Sequence, residues 1–417
     1  MRLAVLASVL GLLLAAPTRG AALPEPVSHA EPGSALTVYV MTFGPGRAVW
    51  ERFGHNAIWI HDPAQGTDQA YNYGLFDFRQ ENFVLRFVRG QMWYWMAGFP
   101  SESYISQYER DNRSVWVQEL DIPPAARIEL QRFLQWNELP EHRFYHYDYY
   151  RDNCSTRVRD AIDRVLGGAI RRQTLPLPAG TTYRFHTQRL TANDPLIYTG
   201  LLVALGEKVD RPLSAWEEMF LPLSLREHLR KVTLPGPNGT TIPLVKSERT
   251  IFESTAPMPP GAPPNWVAGY LAIGLAIGVA AFALARGARE GRGSRAGLLA
   301  LVGVWSLLAG LAGVVMTGLW GFTDHVMAAS NENLLQLNPL SLLLVPFLAG
   351  AINGKARSTR VASGLATGIA VLGAIGLLIQ LLPAFGQVNG PVIALALPAH
   401  LGVAAAFWSL RYEPPTR

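Results

Sequence analysis

The chain contains very little cysteine and few charged residues. Cys154 is the one cysteine among 417 residues, and 16% of the residues are charged while 49% are hydrophobic. A single cysteine excludes an internal disulfide framework. The scattered histidines lack the spacing of metal ligands, so we expect no metal and no other cofactor. The sequence carries no nucleic-acid-binding motif, and we expect no nucleic-acid partner.

Long hydrophobic runs are present, and they are concentrated in the last third of the chain. Five are long enough to cross a hydrocarbon core of about 30 Å; they lie near residues 266–285, 298–320, 334–352, 361–382 and 391–410. The sequence therefore predicts an all-α polytopic membrane domain of five transmembrane helices over residues 266–411. At the other end, a shorter apolar run precedes small residues, which predicts a secretory signal peptide over residues 1–22.

The charges of the connecting loops predict how these helices are oriented. Short loops rich in Lys and Arg stay in the cytoplasm, and two such loops occur at residues 286–295 and 355–360. They alternate with poorly charged loops, so we expect a multi-pass protein of the bacterial cytoplasmic membrane with a periplasmic N-terminal region and a cytoplasmic C-terminus. Before the first span, residues 171–255 are predicted to be a helical extension and residues 256–265 a stiff proline-rich linker.

Cys154 begins a predicted amphipathic helix. Val158 and Ile162 follow it at helical spacing, so the thiol shares the stripe that packs inward. The thiol is either a small buried hydrophobic group or a reactive nucleophile. The backbone N–H groups and the dipole of a first helical turn favour the thiolate. Together with Asn153 and Ser155, these amides are candidates for an oxyanion hole or its support.

A thiol nucleophile also needs a base, and His55 is the candidate for it. It opens a predicted strand in GHNAIWI, where Gly54 permits a turn or a close approach of the backbone. His61, His142 and His146 are predicted to be structural or exposed histidines.

The order of these elements resembles the circularly permuted papain-like fold of lecithin–retinol acyltransferase and permuted NlpC-type proteins. In that fold a histidine lies on an early strand and a cysteine begins a late helix. Here GHNAI would supply the histidine, His55, and NCST the cysteine, Cys154. The resemblance implies an α+β, NlpC-type exterior domain over residues 36–170. It also implies a third polar group on the strand after the histidine, where AYNYG offers Asn72 to hold the His55 ring in the tautomer that accepts the thiol proton.

Nearly the whole mature chain resembles proteins with the Lnb N-terminal periplasmic domain. The similarity lies in YVMTFGPGRAVWERFGHNAIWI, YHYDYYRDNCSTRVRDAID, GEKVDRPLSAWEEMFLPLSLREHL and the multi-span tail. It implies a lipoprotein N-acyltransferase, which moves a fatty acyl chain from a phospholipid, through a Cys154 thioester, to the α-amino group of a diacylglyceryl-cysteine lipoprotein. Two alternatives stay open: a papain-like thiol hydrolase of peptide, amide or lipid ester bonds, and a membrane-tethered binding protein that needs neither Cys154 nor His55.

Two further regions are candidates for contact with lipid or lipoprotein. Trp93 and Trp95, in QMWYWMAGFP, suit a bilayer interface or an acyl groove, although aromatic strands also fill cores. The predicted exterior loop after the second span carries His325, Asn331 and Asn333 beside the interrupted third span. Polar groups near membrane depth are usually buried or functional; the alternative here is an ordinary polar loop.

Overall fold

The computed structural model describes residues 31–411, so the predicted signal peptide lies outside the described residues. A sheet-containing N-terminal domain precedes five apolar helices. The strands are β1 Thr37–Phe43, β2 His55–Asp62, β3 Thr67–Leu75, β4 Trp93–Pro100, β5 Val115–Leu120, β6 Phe144–His146, β7 Pro178–Thr182, β8 Pro212–Ser214, β9 Thr233–Pro235, β10 Thr241–Pro243 and β11 Val245–Phe252. The helices are α1 Phe83–Arg89, α2 Ser101–Arg110, α3 Pro124–Glu138, α4 Cys154–Val165, α5 Ala169–Thr174, α6 Tyr183–Thr191, α7 Pro195–Ala204, α8 Ala215–Glu218, α9 Pro222–Leu229, α10 Val267–Gly287, α11 Arg292–Phe322, α12 Val345–Ile352, α13 Ala356–Leu378 and α14 Gly390–Arg411.

Seven of the strands form one antiparallel sheet in the order β11-β5-β1-β2-β3-β4-β6. Alternate side chains of a strand face opposite sides of its sheet. One side carries Ala57 and Phe43, which pack with the tyrosines of α2. The other side carries Ile58, whose cluster includes Val158 and further apolar residues of α3 and α4. The inward-facing stripe of α4 therefore holds the first residue of that helix, Cys154, against the sheet.

The segment 171–255 differs from the predicted helical extension. It contains α5 to α9, but also β7 to β11, and β11 pairs with β5 at the edge of the main sheet. The helical prediction rested on SAWEEMF and LREHLRKV, which do lie in α8 and α9. Strand β11 was missed because VKSERTIF is mostly polar, as suits an edge strand with exposed side chains. The sheet of the N-terminal domain therefore extends beyond residue 170.

A buried ion pair fixes the end of α7. The guanidinium of Arg184 contacts the carboxylate of Asp210 at 2.7 Å, and these side chains are only 2% and 4% exposed. The same guanidinium donates to the carbonyls of Leu205 and Gly206. These carbonyls follow the last turn of α7, so the pair connects α6 to the end of that helix.

Asp210→Ala should destabilise the N-terminal domain strongly. It leaves the Arg184 charge buried without its partner, which typically costs about 3–5 kcal/mol. Asp77→Ala is a matched control, because it removes an ion pair whose Arg79 is 89% exposed and should cost at most about 1 kcal/mol. Thermal unfolding in detergent compares the two variants; equal midpoints for both would contradict the expected role of the buried pair.

Five helical segments are long and apolar enough to cross a membrane, which confirms the predicted number. They are Val267–Gly287, Arg292–Phe322, Glu332–Ile352, Ala356–Leu381 and Gly390–Arg411. The third contains two 3₁₀ segments before α12, and the second of them begins at Pro339, where the sequence predicted an interruption. Proline has no N–H to donate to a preceding carbonyl, so the helix is broken there.

The apolar helix α7 joins the two parts of the molecule. Its Tyr198 ring contacts the ring of Trp266, with centroids 4.5 Å apart, and its Thr199 hydroxyl lies 2.6 Å from the hydroxyl of Tyr270. Both partners lie at the start of the first membrane helix, α10. The sheet domain is thus packed directly on the membrane helices in addition to being tethered by the linker.

Candidate active site

His55 and Asn72 form a hydrogen-bonded pair on neighbouring strands. His55 is the first residue of β2, and Ala57 of that strand lies opposite Asn72 of β3, so the three side chains share one face of the sheet. The Nε2 atom of His55 lies 2.5 Å from Oδ1 of Asn72. An amide oxygen can only accept, so Nε2 carries the proton of a neutral imidazole and Nδ1 is left as the acceptor.

Cys154 lies beside the His55 ring, and Gly74, which has no side chain, is next to both residues. If Gly74 carried a Cβ atom, that atom would lie 3.5 Å from Cβ of Cys154 and 3.7 Å from Cε1 of His55. Gly74 has a φ of +95°, which side chains rarely adopt, and its bare backbone leaves open the space between thiol and imidazole. The thiol from α4 and the imidazole from β2 are therefore neighbours in the folded chain.

Burial keeps both groups neutral near pH 7. Loss of hydration raises the pKa of the Cys154 thiol to about 11, despite opposing backbone N–H groups of Asn56, Ser155 and Cys154 itself. Loss of hydration also lowers the pKa of His55 to about 4; the Asn72 hydrogen bond opposes this shift and the nearby charge of Arg113 adds to it. The backbone N–H groups at the helix start do favour the thiolate, as expected, but the cost of burying a charge outweighs them and the net shift of the thiol pKa is upward.

Alkylation of Cys154 should therefore depend steeply on pH. The thiolate reacts, not the thiol, so the iodoacetamide rate should rise about tenfold per pH unit between pH 7 and 10. Since the chain has one cysteine, the mass shift of the whole protein follows this single site. A rate that is already maximal at pH 7 would instead indicate a preformed thiolate–imidazolium pair.

Asn153 supports the start of α4. Its Oδ1 accepts from the backbone N–H groups of Ser155 and Thr156, and its Nδ2 donates to the carbonyls of Tyr149 and Phe220. The hydroxyl of Ser155 is buried and donates to the carbonyl of Met219. Both side chains are fully engaged in holding the helix, so neither is free to bind an oxyanion. Backbone N–H groups at the sulfur, including that of Asn56, remain available as donors.

A large cavity leads from this cluster to the membrane helices. Its volume is about 1460 Å³, and Cys154, His55 and Asn72 lie in its wall. Most other lining side chains are aromatic or aliphatic, and residue 319 of α11 and residues 324–328, which follow that helix, complete the lining. A cavity of this size and character suits a long apolar ligand better than a polar peptide.

Two family models match the chain. The model of the Lnb N-terminal periplasmic domain matches residues 27–189, and that of the Lnb transmembrane domain matches residues 272–408. The chain belongs to the Lnb family. Membership of the Lnb family indicates a membrane enzyme of lipoprotein maturation with a periplasmic N-terminal domain. No curated protein and no solved structure matches the chain.

Trp93 and Trp95 lie outside the main cavity of this Lnb-family chain. They face a separate pocket of about 540 Å³ with Phe144 and Arg143. Because side chains alternate along β4, it is Tyr94 that faces the main cavity. The two tryptophans are therefore not part of the surface around the thiol, and their predicted lipid contact would have to occur elsewhere.

The three residues predicted in the loop after the second span have different environments. His325 lines the cavity, and its Nε2–H donates to the carbonyl of Phe87 over 3.0 Å. Asn331 and Asn333 are 2% and 0% exposed, and their amides donate to the carbonyls of residues 202–204. Helix ends leave such carbonyls without partners, so the two asparagines cap α7 and are not available to a headgroup.

Sequence reasoning missed two residues at the thiol. Gly74 follows Asn72 by two positions in AYNYG, which was the available signal, and it lies where the pairing of β3 with β4 shifts register between Tyr73 and Leu75. The Tyr145 hydroxyl lies 3.9 Å from the same point beside Gly74 and, within the described residues, has no hydrogen-bond partner. Tyr145 begins the quoted segment YHYDYYRDNCSTRVRDAID, but no periodicity placed its side chain at the thiol, because its strand, β6, has only three residues. In residues 31–411 no cluster of His, Cys, Asp or Glu could hold a metal ion.

Proposed function

We propose that the chain is a thiol acyltransferase that moves a fatty acyl chain from a phospholipid to the α-amino group of a diacylglyceryl-cysteine lipoprotein. The observation that carries this proposal is the position of Cys154 beside His55 in a large apolar cavity that reaches the membrane helices. The histidine on an early strand, the asparagine on the next strand and the cysteine at the start of a late helix also support a permuted papain-like fold.

In the first half-reaction the Cys154 sulfur attacks the carbonyl carbon of a phospholipid ester. Nδ1 of His55 takes the thiol proton as the carbon–sulfur bond forms, so no resting thiolate is needed. The backbone N–H of Asn56 and the free hydroxyl of Tyr145 are placed near the sulfur and can donate to the developing oxyanion. The bond from carbon to the glycerol oxygen then breaks, that oxygen receives the proton from His55, and a thioester and a lysophospholipid remain.

In the second half-reaction the free α-amino group of the lipoprotein attacks the thioester carbon. His55 accepts a proton from the attacking nitrogen and returns it to the departing sulfur. An amide is formed and the Cys154 thiol is restored, so the two substrates react in turn. An apolar cavity excludes water, which favours an amine carried by a membrane-embedded acceptor over hydrolysis.

The arrangement of the chain in the membrane completes the proposal. The catalytic domain is on the periplasmic side, and the arginine-rich loops 286–295 and 355–360 lie in the cytoplasm with the C-terminus. Both the acyl donor and the acceptor are then in the leaflet next to the cavity, in the bacterial cytoplasmic membrane.

Purified protein in nanodiscs tests the reaction directly. A phospholipid labelled in one acyl chain is supplied with a diacylglyceryl-cysteine lipopeptide, and the same lipopeptide with an acetylated α-amino group is the control. We expect the free amine to gain the labelled acyl chain, one lysophospholipid to form per amide, and the acetylated control to gain none. Labelled free fatty acid in equal amounts with both acceptors would establish a hydrolase instead.

Asn72→Ala should lower the rate of acyl transfer by about 10² or more, because the His55 ring loses the acceptor that fixes its tautomer. Asn72→Asp restores an acceptor and should recover part of the activity. Its carboxylate should also raise the pKa of His55, so the acidic limb of the pH–rate profile should shift upward. If both variants lose the same activity and neither shifts the profile, Asn72 is structural only.

A further inference from the structure

A continuous apolar surface lies beside the cavity and is not covered by any part of residues 31–411. Five of the seven residues of α1 are apolar. The exposed fractions are 72% for Val84, 51% for Val88, 47% for Leu85 and 45% for Phe87. A short helix of a water-soluble domain does not normally leave most of its apolar side chains in solvent.

Aromatic side chains before α1 extend this surface. Trp50 is 62% exposed and Phe78 is 58% exposed, and their ring centroids are 5.8 Å apart. The ring of Phe78 lies 5.1 Å from that of Phe83, the first residue of α1. Trp50, Phe78 and the exposed side chains of α1 thus form one patch, which we call the α1 surface.

The α1 surface is at the level where the second membrane helix ends. The backbone N–H of Asp324 donates to the carbonyl of Arg89 over 2.8 Å, and His325 donates to the carbonyl of Phe87. Two residues earlier, Phe322 ends α11 with 83% of its surface exposed. The α1 surface therefore adjoins the exposed end of α11, a helix that is long and apolar enough to cross a membrane, and the occupant that fits it is the outer leaflet of the bilayer.

We propose that the α1 surface inserts into this leaflet and opens the cavity sideways to lipid acyl chains. Arg86 and Arg89 lie in the last turn of α1, where they can contact phosphate groups while the apolar side chains enter the acyl region. Phe83 and Phe87 line the cavity, as does Leu319 of α11. An acyl chain passing between α1 and α11 would move from bilayer to cavity without crossing water. The acyl-chain part of this inference rests on the proposed function, whereas the insertion of α1 does not.

Quenching of a single fluorophore by lipid tests the insertion. Cys154→Ala removes the chain's one cysteine, so Val84→Cys or Val88→Cys can then carry a single bimane label on the full-length protein. In nanodiscs of phosphatidylcholine brominated in its acyl chains, we expect fluorescence to fall about twofold or more relative to unbrominated nanodiscs. Glu129→Cys is the control, because residue 129 is exposed on α3 and should not be quenched.

The inference would be overturned if the labels at positions 84 and 88 were both quenched no more than the control label at position 129. That outcome includes the case in which another protein, and not lipid, covers the α1 surface. These proteins lack Cys154, so the result does not depend on any acyl transfer. Conversely, clear quenching of these labels, combined with a wild-type chain that transfers no acyl group in the nanodisc assay, would retain the insertion and reject the proposed function.

Discussion

Replacing Cys154 with alanine should abolish acyl transfer, with a loss on the order of 10⁴-fold or more. The proposed acyl carrier is the sulfur itself, and the described residues place no second thiol near the cavity because the chain has a single cysteine. The measurement is formation of N-acylated lipopeptide from a labelled phospholipid in nanodiscs.

Two controls separate chemistry from folding. Cys154 is 7% exposed and lines the wall of the large cavity, so alanine removes one sulfur atom beside space that already exists and should leave the unfolding midpoint nearly unchanged. Cys154→Ser keeps the shape but offers a far weaker nucleophile, and it should be nearly as inactive as the alanine variant. Wild-type rates in a folded Cys154→Ala protein would leave the binding-protein alternative as the better explanation.

His55→Ala should reduce the rate by about 10²–10⁴-fold, the usual contribution of a positioned general base. The effect is expected to be large because burial raises the pKa of the Cys154 thiol to about 11, so little thiolate forms without a base. The neutral form of His55 is the active one, and its pKa is lowered to about 4. Wild-type activity should therefore be level near neutral pH and fall as the pH approaches 4.

His61→Ala is a matched control on the same strand. His61 contacts Asp68 at 2.9 Å and its side chain is 41% exposed, away from the thiol. It should keep nearly full activity. If His55→Ala and His61→Ala lose the same small amount of activity, a base other than His55 must deprotonate the thiol.

The membrane part of the fold follows from the sequence because the bilayer imposes a length on each span. Even the break at Pro339 was visible, since proline cannot continue a helix hydrogen-bond ladder. Strand β11 was not visible in the sequence, because its partner β5 lies more than a hundred residues earlier in the chain. A mostly polar edge strand forms because it pairs with a neighbouring strand, and its local sequence does not indicate that pairing.

The three central residues of the candidate site were predictable from the sequence, whereas its electrostatics and the neighbouring residues Gly74 and Tyr145 were not. Strand alternation was enough to place Asn72 on the face of His55, and the structure brings both together with Cys154. The direction of the Cys154 pKa shift could not be predicted from the sequence. The position of Cys154 at a helix start is a local feature, but its burial depends on residues such as Tyr145 and Tyr94, which distant strands bring to the sulfur. For the same reason Asn331 and Asn333 were mistaken for ligand-binding groups, since their partners at the end of α7 are about 130 residues away.

The most direct test of the account is to trap the acyl group on the sulfur. Purified protein is incubated with a phospholipid labelled in its acyl chain, without an acceptor amine, and is then denatured and treated with neutral hydroxylamine. The account predicts label on the wild-type chain that hydroxylamine releases, and none on Cys154→Ala. Acyl transfer that proceeds with no hydroxylamine-sensitive label on Cys154 would contradict it.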